Sequence, residues 1–205
     1  MIPERTPDYP IADVFLDRWS PRAFDGSDMP GHDLMTVLEA ARWAPSAYNI
    51  QPWRFLYAHR GDPHWDGFLA VLDPFNAAWA ENASALVFAL SDTRITDPQG
   101  GGESLSTTHR FDTGAAWAQL ALQATMSGYQ AHAMAGVDFD KARETLCVPE
   151  RYAIEIAIAL GRQSTPSSLP ADLRAREKPS GRLPLAEIAF AGPFPYASED
   201  ERRSA

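Results

Sequence analysis

The chain has 205 residues with 45% hydrophobic and 11% aromatic content, enough for one packed domain that buries most of its unfolded surface. A formal charge of -9 and an isoelectric point near 5.0 argue against the basic face that a nucleic-acid backbone selects. The single cysteine, Cys147, excludes an internal disulfide and a multi-cysteine metal site, and its neighbours Leu146 and Val148 predict a core thiol.

Met1-Ile2-Pro3-Glu4-Arg5 lacks the apolar core of a signal peptide, and no later window has the uncharged length of a bilayer span, so cytoplasmic residence is expected. A helix is expected near 11–17, followed by Arg18-Trp19-Ser20-Pro21-Arg22-Ala23-Phe24. Two guanidinium forks flanking a serine can clamp an anion through charge-assisted hydrogen bonds; two surface arginines around a Ser20-Pro21 turn give the same pattern. Leu34, Val37, Leu38 and Ala41 line one face of a helix over 31–44, which Pro45 brings to an end. Ser46, Asn49 and Gln51 then offer uncharged groups that donate and accept, an inventory suited to the edge of a flat heterocycle and equally to an ordinary turn.

A strand is expected at 54–59, and Asp73-Pro74 opens a helix at 74–80 with Asn76 near its start. The apolar runs at 85–91 and 153–160 suit strands covered on both faces, in the middle of a sheet completed by 131–134. The polar run from Ser91 to Thr108, with Gly100-Gly101-Gly102, reads as a flexible loop. The strongest helix spans 113–127, with Trp117, Leu120, Ala121 and Ala124 as its stripe, Asp112 as its cap and Gly128 as its stop. A helix at 139–146 completes a mixed α/β order, and 191–205 reads as a flexible tail whose charged end, 197–205, is frayed. No Gly-x-Ser-x-Gly elbow, no paired metal-binding histidines and no Gly-x-Gly-x-x-Gly fingerprint occur. Of Trp43, Tyr48, Trp53, Trp79 and Phe111, at most two are expected at a site, the rest being core.

Arg-x-Ser-x-Arg-x-Phe, followed by Ala-x-x-Ala-Pro-Ser-x-x-Asn-x-Gln-Pro-Trp, resembles the nitroreductase superfamily of FMN-dependent enzymes, with further likeness at Asn76, at Met134-Ala135-Gly136-Val137-Asp138 and at Gly181-Arg182-Leu183-Pro184. The resemblance covers roughly 11–190 of one domain, 1–205, and implies an α+β fold with a mostly antiparallel central sheet flanked by helices and completed by dimerisation. It implies that Arg18, Ser20, Arg22 and Arg182 hold the FMN phosphate and ribityl chain, and that Asn76 binds the pyrimidine side of the ring. The backbone at Ala135 and Gly136 would face the flavin N5, and Pro45, Ser46, Ala47 and Asn49 would reach over from the other subunit of a homodimer. Ser180 stands where some members carry a basic residue, with Lys178 close by, and Trp79 stands where another basic residue is common.

The implied activity is hydride transfer from NAD(P)H to a nitroaromatic, quinone or similar acceptor by a ping-pong route, with no catalytic side chain and no metal. A low-turnover flavin-binding protein, or an offshoot with other flavin chemistry, is the alternative. Substrate choice would rest on the loops at 91–110 and 162–180.

Overall fold

In the computed structural model, residues 5–96 and 101–195 are described. Helices α1 (Val14–Asp17) and α2 (Gly31–Arg42) precede strand β1 (Trp53–His59), and the short helices α3 (Trp65–Leu69) and α4 (Pro74–Ala80) lead into β2 (Ala85–Asp92). A hairpin of β3 (Arg94–Thr96) and β4 (Glu103–Leu105) comes before α5 (His109–Met126). The chain continues through β5 (Gln130–Met134), α6 (Phe139–Thr145), β6 (Tyr152–Gly161) and α7 (Ala171–Arg176).

Four strands form one antiparallel sheet in the order β1-β2-β6-β5, so the two apolar runs do occupy its middle. All eight residues of β2 are buried because alternate side chains enter different cores. Leu86, Phe88 and Leu90 join Phe68, Trp79 and Met134 on one face, whereas Ala85, Val87 and Ala89 join Leu34, Val37 and Leu120 on the other. The sheet therefore lies between α2 with α5 and a layer containing α3, α4 and α6.

Four expectations need correction. Helix α5 starts at His109 with Thr108 as its N-cap residue, so Asp112 lies within the first turn and does not cap the helix. Its buried Oδ2 accepts instead from Thr108 Oγ1 at 3.0 Å and from the Ala47 N–H at 3.3 Å. The polar run after Ser91 contains the β3-β4 hairpin, stapled by Glu103 to Arg151 at 2.9 Å and to Arg94 at 3.8 Å; Gly100 lies outside the described residues. Cys147 is exposed, because its φ of 52° turns the residue out of the core just past α6. The helix expected over 11–17 is a single turn, Val14–Asp17. The charged end of the tail, from Ala197, and Met1 to Glu4 lie outside the described residues. Among the described residues, no helix is long and apolar enough to cross a membrane.

Candidate functional site

The Arg18-x-Ser20-x-Arg22 segment leaves α1 and passes β5, where His132 Nδ1 donates to the Pro21 carbonyl at 2.8 Å. Arg18, Ser20, Arg22 and Arg182 line one cavity of about 400 Å³ together with Lys178 and Ser180. Three further members, Arg5, Arg176 and His132, were not anticipated. Six of the protein's 18 cationic side chains thus face one space in a molecule of net charge -9.

Little carboxylate balances them. Glu177 Oε1 accepts from the backbone N–H groups of Arg22 at 2.6 Å and Ala23 at 2.8 Å, and Oε2 lies 3.8 Å from Arg22 Nη1. Burial, and then the charge of Arg182, holds the Arg5 and Arg18 guanidinium groups below their ordinary pKa. Burial does the same to Arg22, against the opposing pull of Glu177. Arg5 Nη1 and Arg22 Nε are buried without a hydrogen-bond acceptor among the described residues. Unpaired buried donors cost about 1–3 kcal/mol each, so the cavity is built for an anion rich in acceptor oxygens. His132 belongs to the same electrostatics: burial first, with help from Arg22 and Arg18, lowers its pKa from 6.5 to about 4.

His132 packs on Trp79 of α4 at a ring separation of 4.7 Å, and this contact leads to the second group of residues. Asp73 caps α4, its Oδ1 accepting from the Asn76 N–H at 2.7 Å. The Asn76 amide then points to Asp73 Oδ2 at 3.2 Å and to the Gly136 carbonyl at 3.4 Å. A Cβ on Gly136 would overlap Asp73 and sit 2.5 Å from Asn76 Nδ2, so only glycine allows this approach. Ala135 lies beside it, its carbonyl accepting from the Val137 N–H at 3.0 Å.

The third group is apart from that cavity. Pro45, Ser46, Ala47 and Asn49 are not among its lining residues. They belong to a loop in which Tyr48, Asn49 and Gln51 all adopt positive φ, near 50 to 55°. For side chains other than glycine this backbone is strained and is retained where surrounding contacts impose it. Here Ser46 Oγ accepts from the Gln51 N–H at 3.0 Å, and Asp112 holds Ala47. Ser91, buried at the foot of the loop, accepts from His109 Nδ1 at 2.7 Å and donates to Glu155 Oε1 at 2.5 Å, which makes His109 an anchor of α5. Trp53 and Trp79 are core residues, whereas Trp43, Tyr48 and Phe111 are 71%, 82% and 82% exposed.

The sequence profile of the nitroreductase family matches residues 16–64 and 62–162, well over half of the chain. The chain belongs to the nitroreductase family. Among similar proteins is the CLA biosynthesis enone reductase of Lactiplantibacillus plantarum, 30% identical over 185 residues that cover 74% of this chain and 85% of the relative. A solved structure described as an oxidoreductase containing FMN is 49% identical, covers 93% of this chain and 96% of its own, and superposes with a TM-score of 0.90. A putative nitroreductase in complex with FMN from Desulfovibrio desulfuricans is 25% identical, with 92% and 99% coverage and a TM-score of 0.67. The nitroreductase fold expected from the sequence is therefore the fold observed.

Proposed function

We propose that this nitroreductase-family protein is an FMN-dependent oxidoreductase that takes hydride from NAD(P)H and reduces an electrophilic acceptor by a ping-pong route. The observation that carries the reading is the crowding of cations around Arg22, whose Nε is buried without an acceptor, since a phosphate dianion supplies the charge and the acceptor that are lacking. Arg18, Ser20, Arg22 and Arg182 would hold that phosphate, with Lys178 supplying the cation that Ser180 does not. From His132 to Gly136 the chain runs four residues, at most about 13 Å, a span that a flavin mononucleotide can bridge from phosphate to ring.

When bound, FMN supplies the redox chemistry. The protein's part is placement and electrostatics. The Asn76 amide, fixed by the Asp73 cap, would meet the pyrimidine edge and offer its Oδ1 to a ring N–H, since Nδ2 is engaged by Asp73 and the Gly136 carbonyl. The backbone at Ala135 and Gly136 would face N5. Pro45, Ser46, Ala47 and Asn49 would cover the flavin of a second copy, which makes the protein a homodimer. The exposure of Trp43, Tyr48 and Phe111 around that loop and the adjoining α5 terminus supports this arrangement. A cytoplasmic setting, where NAD(P)H is available, suits the reaction. Nitroaromatics and quinones are the proposed acceptors, and the likeness to an enone reductase adds electron-poor carbon-carbon double bonds.

The test is the visible spectrum of protein mixed with FMN and desalted, then treated anaerobically with NADPH and NADH. Retained flavin bands that bleach with nicotinamide are expected. Bands that stay coloured would favour a binding protein without turnover, and loss of FMN on desalting would remove the basis of the assignment.

A further inference from the structure

Arg5, Arg18, Ser180 and Arg182 line a second cavity as well, of about 600 Å³, so the two spaces share one cationic partition. The far walls of the second space are apolar, with Tyr9 and Phe15 on one side and Leu183 and Ile188 on the other. Its volume is typical of small-molecule sites, and its mixture of aromatic wall and cationic rim suits a planar ring bearing an anion. The one carboxylate on its wall, Asp8, is engaged by the Leu185 N–H at 2.6 Å, a bond that ties the two walls together.

The partition has more positive charge than one phosphate uses. A flavin phosphate held by Arg18, Arg22 and Arg182 leaves Arg5, whose Nη2 donates to the Arg18 carbonyl at 3.1 Å while Nη1 stays buried and unpartnered. Arg5 stands where both cavities meet, and the carboxylate that acts on it, Asp17, lines neither cavity.

Resting on the reading above, we propose that this second cavity receives the adenosine end of the reductant. Its 2′-phosphate would lie at Arg5 beside Arg182, so that NADPH is used in preference to NADH. Adenine would lie against Tyr9 and Phe15, and the ribose phosphate would turn toward the partition. The extra phosphate is the only chemical difference between the two reductants, and Arg5 is the donor on the partition left unclaimed by the flavin.

The experiment is calorimetric titration of FMN-loaded protein with adenosine 2′,5′-bisphosphate and with adenosine 5′-monophosphate. We expect the bisphosphate to bind at least about tenfold more tightly, the effect of one charge-assisted contact. Arg5→Gln should erase that difference, Arg5→Lys should keep most of it, and Tyr9→Ala should weaken both ligands alike. Each Arg5 variant is titrated as FMN-loaded protein, with its flavin content checked by absorbance. Equal affinities, or no binding of either nucleotide, would overturn the proposal while leaving the flavin reading intact. Arg5-dependent binding of decanoate in place of the bisphosphate would also overturn it, in favour of a site for amphipathic acids. Loss of FMN from the unaltered protein would remove the flavin reading and this one with it.

Discussion

Replacing Gly136 with alanine is the sharpest perturbation of the proposed ring site. The added Cβ overlaps Asp73 Oδ2 and comes within 2.6 Å of Asp73 Cγ and 2.5 Å of Asn76 Nδ2. Asp73 cannot simply withdraw, because Oδ1 caps α4 at 2.7 Å and its own N–H donates to the Gly136 carbonyl at 3.0 Å. Loss of a cap costs about 1 kcal/mol, and forced repacking adds about 1–3 kcal/mol. The lower entropy of the unfolded alanine chain returns at most about 1 kcal/mol. The net expectation is a destabilisation of about 1–3 kcal/mol, which for a chain of this length lowers Tm by about 3–10 °C. Thermal unfolding of the FMN-free protein, followed by circular dichroism, reads this without any contribution from the flavin. In the loaded protein the displaced Asn76 should also shift the reduction potential. A variant that melts at or above the temperature of the parent would refute the steric argument and the Asp73-Asn76-Gly136 arrangement behind it.

Arg18→Ala and Arg182→Ala should each weaken FMN retention by about one to two decades, measured by fluorescence titration; unchanged affinity in both would sink the phosphate assignment. His132 should make the FMN-free protein acid-sensitive. Its pKa is lowered from 6.5 to about 4 by burial, so the unfolded chain binds the extra proton first and stability falls as pH drops through that window. Urea unfolding should register a loss of about 3 kcal/mol, smaller with FMN bound, and a His132→Phe variant with the same pH slope would remove the histidine as its source. Asp112→Ala frees the Ala47 N–H and Thr108 Oγ1, so amide exchange at 46–49 should quicken about fivefold or more, with FMN-free secondary structure unchanged. Exchange at the parental rate would show that Asp112 does not hold the loop.

The sheet was legible because β2 and β6 are covered on both faces, which forces apolar residues at successive positions regardless of neighbours. The Asp73 cap was legible for a similar reason: its partner is three residues away. What was misread depends on distant contacts. His109 to Asp112 look like loop residues, yet Ser91, Glu155 and Ala47 fix them as the first turn of α5. The β3-β4 hairpin rests on Arg151, some fifty residues downstream. Leu146 and Val148 suggested a buried Cys147, but the left-handed backbone there reverses its direction. Of the residues lining the cavity, Arg18, Ser20, Arg22 and Arg182 were those carried by the family resemblance. Arg5, Arg176 and His132 carry no motif, and their place in the cavity follows from the fold alone.

The cationic cavity is assembled from segments 155 residues apart, with Arg22 and Ala23 bound to Glu177 across that gap. During synthesis the sheet has all four of its strands once Gly161 has emerged, well before Arg176, Lys178 and Arg182 exist to close the cavity. If the cavity holds the phosphate as proposed, a growing chain can complete its β strands before every residue that would bind it has been made. Cofactor capture would then be a late event, and a product interrupted shortly after β6 would lack Leu169 and Leu173 from the core as well as Arg176, Lys178 and Arg182 from the cavity. Flavin colour would then report that synthesis had passed residue 182, a readout of completeness that folding alone does not give.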